Sequence, residues 1–315
     1  FSVLTLAETT ITAFMAAVIG VFLILAPLGL PGRWLGLIFL LPLFFPVPNK
    51  VEPGEFRLTL LDVGQGLAAV LETRNRTLLF DTGPKYSDNF DAGSAVIVPF
   101  LRQRGIKSVD LLVQSHGDND HIGGLPNVLK AISVKRILTS VPREIQHKNI
   151  DKCWSGEKWR WDGVHFEMLH PSENSNLSGN NRSCVLKVST DERSVLFTGD
   201  IESKAENRIL KRDKAKIAST VLLAPHHGSL SSSTLDFITA VGPEYVLFPV
   251  GYRNRFGFPK QDIIRRYKER GIKIMDTARH GAIEMLIRDD DLTIRSYRQY
   301  AQRFWHEFMP EGVTK

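Results

Sequence analysis

Ser115-His116-Gly117-Asp118-Asn119-Asp120-His121-Ile122-Gly123-Gly124 is the stretch on which the reading of this chain turns. It places two imidazoles and two carboxylates within six positions. It follows an apolar run, residues 109–113, that predicts a buried strand, and it ends in two glycines ahead of a helix-like segment. A loop at the end of a rigid strand can aim several ligands at one point. Mixed His/Asp sets hold hard-to-borderline divalent cations, and four ligands so close can serve two ions. Polar loops rich in Asp, Asn and Gly also make plain turns, so the weight comes from two companions. Phe197-Thr198-Gly199-Asp200 and Ala224-Pro225-His226-His227-Gly228-Ser229 each follow another hydrophobic run, residues 194–197 and 221–224. Three strand-end loops carrying metal-type residues predict one composite metal site.

The bulk numbers fit a folded protein. At 315 residues, with 43% hydrophobic and 23% charged residues, the chain holds one large domain plus an appendage, and disorder is excluded. A net charge of +6 favours polyanionic partners, nucleic acid or anionic lipid. The two cysteines, Cys153 and Cys184, match no CxxC zinc pattern. They read as two unrelated thiols, one buried, with a disulfide as the alternative should the domain face an oxidising compartment.

Residues 1–48 differ in kind from the rest. No charge lies between Glu8 and Arg33, and residues 10–28 are nearly continuous apolar sequence, long enough to cross a ~30 Å hydrocarbon core. A second run, residues 34–47, carries Pro42 and Pro46 and reads as a second span, a re-entrant piece or an interfacial segment. A signal peptide fits less well, for want of a basic n-region and because Glu8 precedes the apolar stretch. The expectation is the last one or two membrane helices of a polytopic protein, of which the initial Phe suggests a fragment; a buried soluble hairpin is the alternative. Residues 49–55 read as a linker. Strands are then predicted over 56–63, 67–72 and 77–80, and a helix over 94–104. Helices are expected at 125–132, 202–211, 233–240 and 260–270. Strands separate them at 164–169, 183–188, 221–224, 245–250, 272–275, 282–287 and 292–297. That alternation predicts α/β layering. Residues 298–315 form a basic, aromatic tail.

The order of motifs resembles the metallo-β-lactamase superfamily: an Asp-Thr-Gly turn (Asp81-Thr82-Gly83), an HxHxDH-like motif, a later single Asp and a late His. With Leu61-Asp62-Val63-Gly64-Gln65-Gly66, Asp118 where lactamases carry the second His, His226-His227-Gly228-Ser229 and Gly281-Ala282-Ile283, the variant resembles the C-terminal domain of ComEC-type DNA-uptake proteins. The resemblance covers about residues 56–297 and implies an αββα sandwich preceded by one or two membrane helices. It implies two divalent ions, one on His116 and Asp118, the other on Asp120 and His121, with Asp200 bridging and His226 or His227 completing the set. His226 is the favoured ligand, and Asp120, Asp200 and His227 the expected catalytic groups. Asp62, Asp81, Ser183 and His280 are expected to support the site from behind, Asp81 by hydrogen-bonding a ligand His or else as a purely structural turn. Gly64 and Gly66 are expected to let backbone approach closely.

Two departures from the pattern matter. Asn180-Asn181-Arg182-Ser183 stands where lactamases have a third-motif His, and the resulting oxygen-rich set favours Mn²⁺, with Zn²⁺ the alternative. Phe258, in Gly257-Phe258-Pro259, stands where the ComEC pattern has a His; either that role is dispensable or His280 replaces it, and otherwise activity is reduced. The resemblance implies DNA phosphodiester hydrolysis, degrading the strand that an uptake channel does not transport. It implies as partners DNA, the membrane, the N-terminal channel parts of the same protein and DNA-receptor components. It implies a multi-pass protein of the cytoplasmic membrane with this domain on the outer face. Lys85, Arg182, Arg253 and Arg255 are candidate phosphate contacts. Two stretches, residues 148–161 and 252–270, interleave cations with rings that would stack on unpaired bases; a charged face over core aromatics is the competing reading. A hydrolase of another phosphoester, and a catalytically impaired DNA-binding vestibule, are the alternative functions.

Overall fold

In the computed structural model, which describes residues 11–27, 29–44 and 51–301, the short Val- and Leu-rich runs between the polar motifs pair into two mixed sheets. The eight-stranded sheet runs, in spatial order, Ile150–Lys152, Ile137–Thr139, Leu111–Gln114, Thr77–Phe80, Ala69–Glu72, Phe56–Leu60, Ile283–Ile287 and Leu292–Ser296. The seven-stranded sheet runs Lys158–Trp161, Val164–His170, Val185–Ser189, Ser194–Phe197, Val221–Leu223, Tyr245–Phe248 and Lys273–Asp276.

One face of each sheet meets the other. Phe80 and Phe197 stack with ring centroids 4.9 Å apart, inside a cluster that includes Leu58, Leu71, Val113, Phe166, Leu186 and Leu223. Each such side chain taken from water contributes roughly 1.5–3 kcal/mol. Strand residues alternate faces, so Leu196, Leu222, Val246 and Phe248 bury on the far side of the second sheet. There they meet Ile209, Phe237 and Ile263 of helices Ser203–Asp213, Leu235–Val241 and Gln261–Lys268.

Parallel neighbours end on the same side, and this positions the site. Thr77–Phe80 runs parallel to Leu111–Gln114, so Asp81 and Ser115-His116 leave adjacent strand ends. Ser194–Phe197, Val221–Leu223 and Tyr245–Phe248 are parallel in series, so Asp200, His226-His227 and Pro249 emerge in a row.

The described residues among 1–44, with residues 98–107, form a separate compact unit. Its helices Ile11–Leu25 and Leu35–Phe44 approach closely where side chains are missing: a Cβ on Gly20 would lie 2.6 Å from the Gly36 carbonyl oxygen. Arg33 Nε donates to the Ile24 carbonyl at 3.2 Å and so satisfies a group left open at the helix end. Among the described residues no helix is long and apolar enough to cross a membrane. The 15-residue helix rises only about 22 Å, against the span expected for residues 10–28. Residues 1–10, 28 and 45–50, which include parts of both expected spans and of the linker, lie outside the described residues, as does the tail beyond 301.

Two further expectations are corrected. Cys153 and Cys184 are not unrelated thiols but a disulfide. Two of the rings in the 148–161 stretch, those of Trp159 and Trp161, face the core rather than the surface. Trp159 and Trp161 are partly buried, and Trp159 stacks on Phe166 with ring centroids 5.1 Å apart, because Lys158–Trp161 is an edge strand that alternates cations outward and rings inward.

Candidate metal centre

Asp81 is fully buried just beyond Phe80, and donors surround its carboxylate. Oδ1 accepts from Ser115 N–H at 2.6 Å and Gln114 Nε2 at 2.9 Å. Oδ2 accepts from Ser115 Oγ at 2.7 Å and His121 Nδ1 at 2.7 Å. A carboxylate only accepts, so proton positions follow in a chain. His121 carries its proton on Nδ1 and presents the Nε2 lone pair. Ser115 spends its single proton on Asp81, so its Oγ accepts from His116 Nδ1, 2.9 Å away. That leaves His116 Nε2 as a bare acceptor; it is buried, has no hydrogen-bond partner, and lies 3.6 Å from Asp118 Oδ2. His227 follows the same rule. Its Nδ1 donates to the Pro249 carbonyl at 2.9 Å, leaving Nε2 free.

Those free nitrogens converge. His121 Nε2 lies 3.1 Å from His227 Nε2 and 3.0 Å from Asp200 Oδ1. His227 Nε2 lies 3.3 Å from Asp200 Oδ2 and 3.3 Å from Asp120 Oδ2. Asp120, His121, Asp200 and His227 each offer a ligand atom within 4.8 Å of the others. Lone pairs and carboxylates facing one another at such range repel unless a cation lies among them. Without one, the rings answer by binding protons. Burial pushes His227 down, but the Asp200 charge and the bonds to Asp120 and Asp200 outweigh it and raise the imidazole to about 9. His121 is raised likewise, burial being outweighed by Asp200 and Asp81. Asp200 is itself held well below the usual carboxylate range, burial being outweighed by the two imidazoles. The donor set, three acceptor nitrogens and carboxylates in a buried pocket, fits divalent ions.

The tandem histidines divide. It is His227, not His226, that joins the four-group cluster. His226 is one-fifth exposed, with Nε2 3.8 Å from Asp200 Oδ2 and 3.4 Å from Asn180 Nδ2, and Nδ1 3.2 Å from Ser231 Oγ. Both residues adopt left-handed backbone, φ 48° and 53°, which turns consecutive rings to different sides. Asp118 is more than half exposed beside His116. Ser183 Oγ accepts from Asp200 N–H at 3.2 Å and donates to the Asn180 carbonyl at 2.8 Å. Asp62 bonds Gly64 N–H and Arg298 instead of any cluster residue. His280 Nδ1 engages the Asp276 main chain at 2.9 Å. Gly66, at φ 141°, lets the loop pass the Asp120 carbonyl, which a Cβ would approach to 2.3 Å. Phe258 lies edge-on to His226, ring centroids 5.9 Å apart.

Of the candidate phosphate contacts, Lys85 pairs with Asp88 at 3.2 Å, and Arg182 is half-buried in the turn Gly179–Arg182. Arg253 and Arg255 are exposed over the rings of Tyr252 and Phe256, at 5.2 and 4.8 Å. Sequence reasoning missed Ser115, Gln114, the Pro249 carbonyl and Asn180. Ser115 left a trace as the residue joining the strand end to His116, and Asn180 as part of the stretch that replaces the third-motif His.

Residues 61–251 match the sequence model of the Metallo-beta-lactamase superfamily. Competence protein ComA of Neisseria gonorrhoeae is 36% identical over 278 residues, 88% of this chain and 39% of that protein. Recombination protein 2 of Haemophilus influenzae is 32% identical over 250 residues, 79% of this chain and 31% of that protein. This chain thus spans between about a third and two-fifths of the length of these curated relatives. Among solved structures, the metallo-beta-lactamase fold protein YhfI of Bacillus subtilis superposes with a TM-score of 0.51 at 9% identity, covering 74% of this chain and all of that one, a likeness of fold.

Proposed function

The chain belongs to the metallo-beta-lactamase superfamily, and from that premise we propose that it hydrolyses DNA phosphodiesters with divalent metal ions, Mn²⁺ foremost. One observation carries the reading: three imidazoles, each with its Nδ1 already committed, present acceptor nitrogens beside Asp118, Asp120 and Asp200. Asp120, His121, Asp200 and His227 would hold one ion, with His116 and Asp118 as the complementary pair. Ions so bound act as Lewis acids on a phosphoryl oxygen and lower the pKa of water.

The protein's own part is orientation and proton handling. Asp81 and the Pro249 carbonyl fix the rings' protonation, and Ser183 steadies the Asp200 main chain. His227 turns both nitrogens inward, Nδ1 to the Pro249 carbonyl and Nε2 toward Asp120 and Asp200, whereas His226 keeps a partly exposed ring at the rim. The proposal therefore exchanges the expected roles: His227 is the ligand, and His226 supplies a proton to the departing oxygen. Phe258 walls the rim against His226 and holds no proton itself.

Relatives named for competence and recombination support DNA as the substrate, and the basic net charge agrees with it. The Cys153–Cys184 disulfide supports a location in an oxidising compartment, outside the cytoplasmic membrane. Attachment to an uptake channel, to its N-terminal parts and to DNA-receptor components belongs to the same proposal. The test is a nuclease assay of the full chain across added divalent ions, with bound metal measured in parallel. Asp120→Ala and Asp200→Ala are expected to lose cutting by at least about a hundredfold, as groups orienting the reaction do. Cutting at the wild-type rate by both variants would overturn the reading.

A further inference from the structure

Helix Ser203–Asp213 presents two faces. Ala205, Glu206 and Ile209 are buried, whereas Lys204, Asn207, Arg208 and Lys211 recur at i, i+3, i+4 and i+7 along the opposite stripe. That stripe, with Asn176 and Asn181, lines a cleft of about 700 Å³ into which no carboxylate projects. Its cations are uncompensated. Arg208 is held by neutral groups, Nη1 donating to Ser175 Oγ at 3.1 Å and Nη2 to Asn176 Oδ1 at 3.0 Å. Neither Lys204 nor Lys211 forms an ion pair with any described residue.

The cleft adjoins the metal centre through one short turn, Gly179–Arg182. Asn181, on the cleft wall, accepts from Ala205 N–H at 3.0 Å and donates to Glu202 at 2.7 Å. Its neighbour Asn180 reaches His226, and the Asn180 carbonyl accepts from the Ser183 hydroxyl that steadies Asp200. A preset guanidinium, two free ammonium groups and the amides of Asn176 and Asn207 match a chain of phosphodiesters. They do not match an apolar or cationic ligand.

We propose that this cleft is a phosphate-backbone site that grips one nucleic-acid strand as it leaves the metal centre. Lys204 to Lys211 spans about 10.5 Å along the helix, enough to set the two ammonium groups against different phosphates of one strand. The proposal rests on the nucleic-acid reading above, but its test does not require catalysis. None of its residues is among the four phosphate contacts expected from sequence.

The test compares the full chain with Lys204→Gln/Arg208→Gln/Lys211→Gln, and with a charge-matched control, Lys107→Gln/Lys130→Gln/Arg295→Gln, whose residues are exposed elsewhere and lie outside the stretches 148–161 and 252–270. Binding of a fluorescent 15-nucleotide single strand is measured in EDTA against salt, with thermal melts confirming the fold. Hydrolysis of bis(p-nitrophenyl) phosphate with Mn²⁺ is measured separately. The cleft variant is expected to bind at least about tenfold more weakly at low salt, with a log–log salt slope shallower by about 2, three contacts at about 0.7 each. The control is expected to stay near wild type, and the small diester to be hydrolysed at an unchanged kcat/KM. Equal weakening in both variants, or none in the cleft variant, would overturn the cleft while leaving the hydrolase reading intact. So would a loss confined to phosphatidylglycerol vesicles, measured for the same variants by co-sedimentation, which would assign the patch to a membrane. Absence of turnover in every form, with the binding difference preserved, would overturn the hydrolase reading and leave the cleft standing.

Discussion

Asp81→Asn tests whether proton placement, not carboxylate count alone, prepares the metal site. The native carboxylate takes four donors, two on each oxygen. An amide has one acceptor oxygen and one donor nitrogen. Turned toward the Oδ1 position, the nitrogen opposes the Ser115 main-chain N–H, leaving a buried donor unpaired at about 1–3 kcal/mol. Turned toward Oδ2, it keeps every donor paired, but at a different cost. His121 must then accept at Nδ1 and carry its proton on Nε2. Ser115 Oγ becomes an acceptor for the amide and donates its own O–H to His116 Nδ1, which must then accept, so His116 also carries its proton on Nε2. Two ligand lone pairs close together. The expected result is a folded protein with 10–100-fold weaker Mn²⁺ affinity, the range for lost outer partners, or about 1.4–2.8 kcal/mol. Metal affinity is read by calorimetry, and the imidazole tautomers by ¹⁵N chemical shifts in the Zn²⁺-loaded protein. Asp62→Asn is the control, since its carboxylate bonds Gly64 and Arg298. A folded Asp81→Asn protein that binds Mn²⁺ within twofold of wild type, with unchanged tautomers, would refute the reasoning.

Further outcomes follow from other parts of the fold. Burial, aided by the charges of Arg212 and Arg208, pushes His170 down to about 4 from 6.5. The unfolded state therefore binds the extra proton first, and stability is full above pH 6.5 and lost as pH falls toward 4, by up to about 3 kcal/mol. Urea midpoints of His170→Gln should show a shallower pH slope across that window than those of wild type. Gly66→Ala places a methyl 2.3 Å from the Asp120 carbonyl on a backbone at φ 141°, so the Asp120 loop must shift. Metal titration should show weakened binding even where melts in EDTA show a folded protein. The disulfide closes a separation of 31 residues, worth about 3–4 kcal/mol in loop entropy. Cys153→Ser/Cys184→Ser should lose that much in urea, and reductant should leave the variant unchanged.

The loops that form the candidate metal centre were legible because hydrophobic runs of strand length ended in ligand-type residues, a pattern that depends only on local sequence. Parallel pairing then brought those ends together, as for Asp81 and Ser115. The division between His226 and His227 was not legible, since it depends on two residues in left-handed backbone. Nor was the inward turn of Trp159 and Trp161, which an alternating edge strand and a surface helix both allow from composition alone. The strands Ile137–Thr139 and Ile150–Lys152 are too short to carry a period. The disulfide depended on Cys184 sitting beside the Ser115 loop, with its N–H donating to the Ser115 carbonyl at 3.0 Å, a neighbourhood that spacing does not reveal. The cationic cleft was hidden because its stripe reads as an ordinary solvated helix face until the loop at Asn176 closes over it.

Consecutive non-glycine residues at φ 48° and 53° are held in a conformation costing an L-residue about 1–2 kcal/mol. A screen that selects only for heat resistance would therefore drift toward glycine at position 226, gaining melting temperature while discarding the imidazole. Thermostabilised libraries of this protein need an activity filter at that position from the first round.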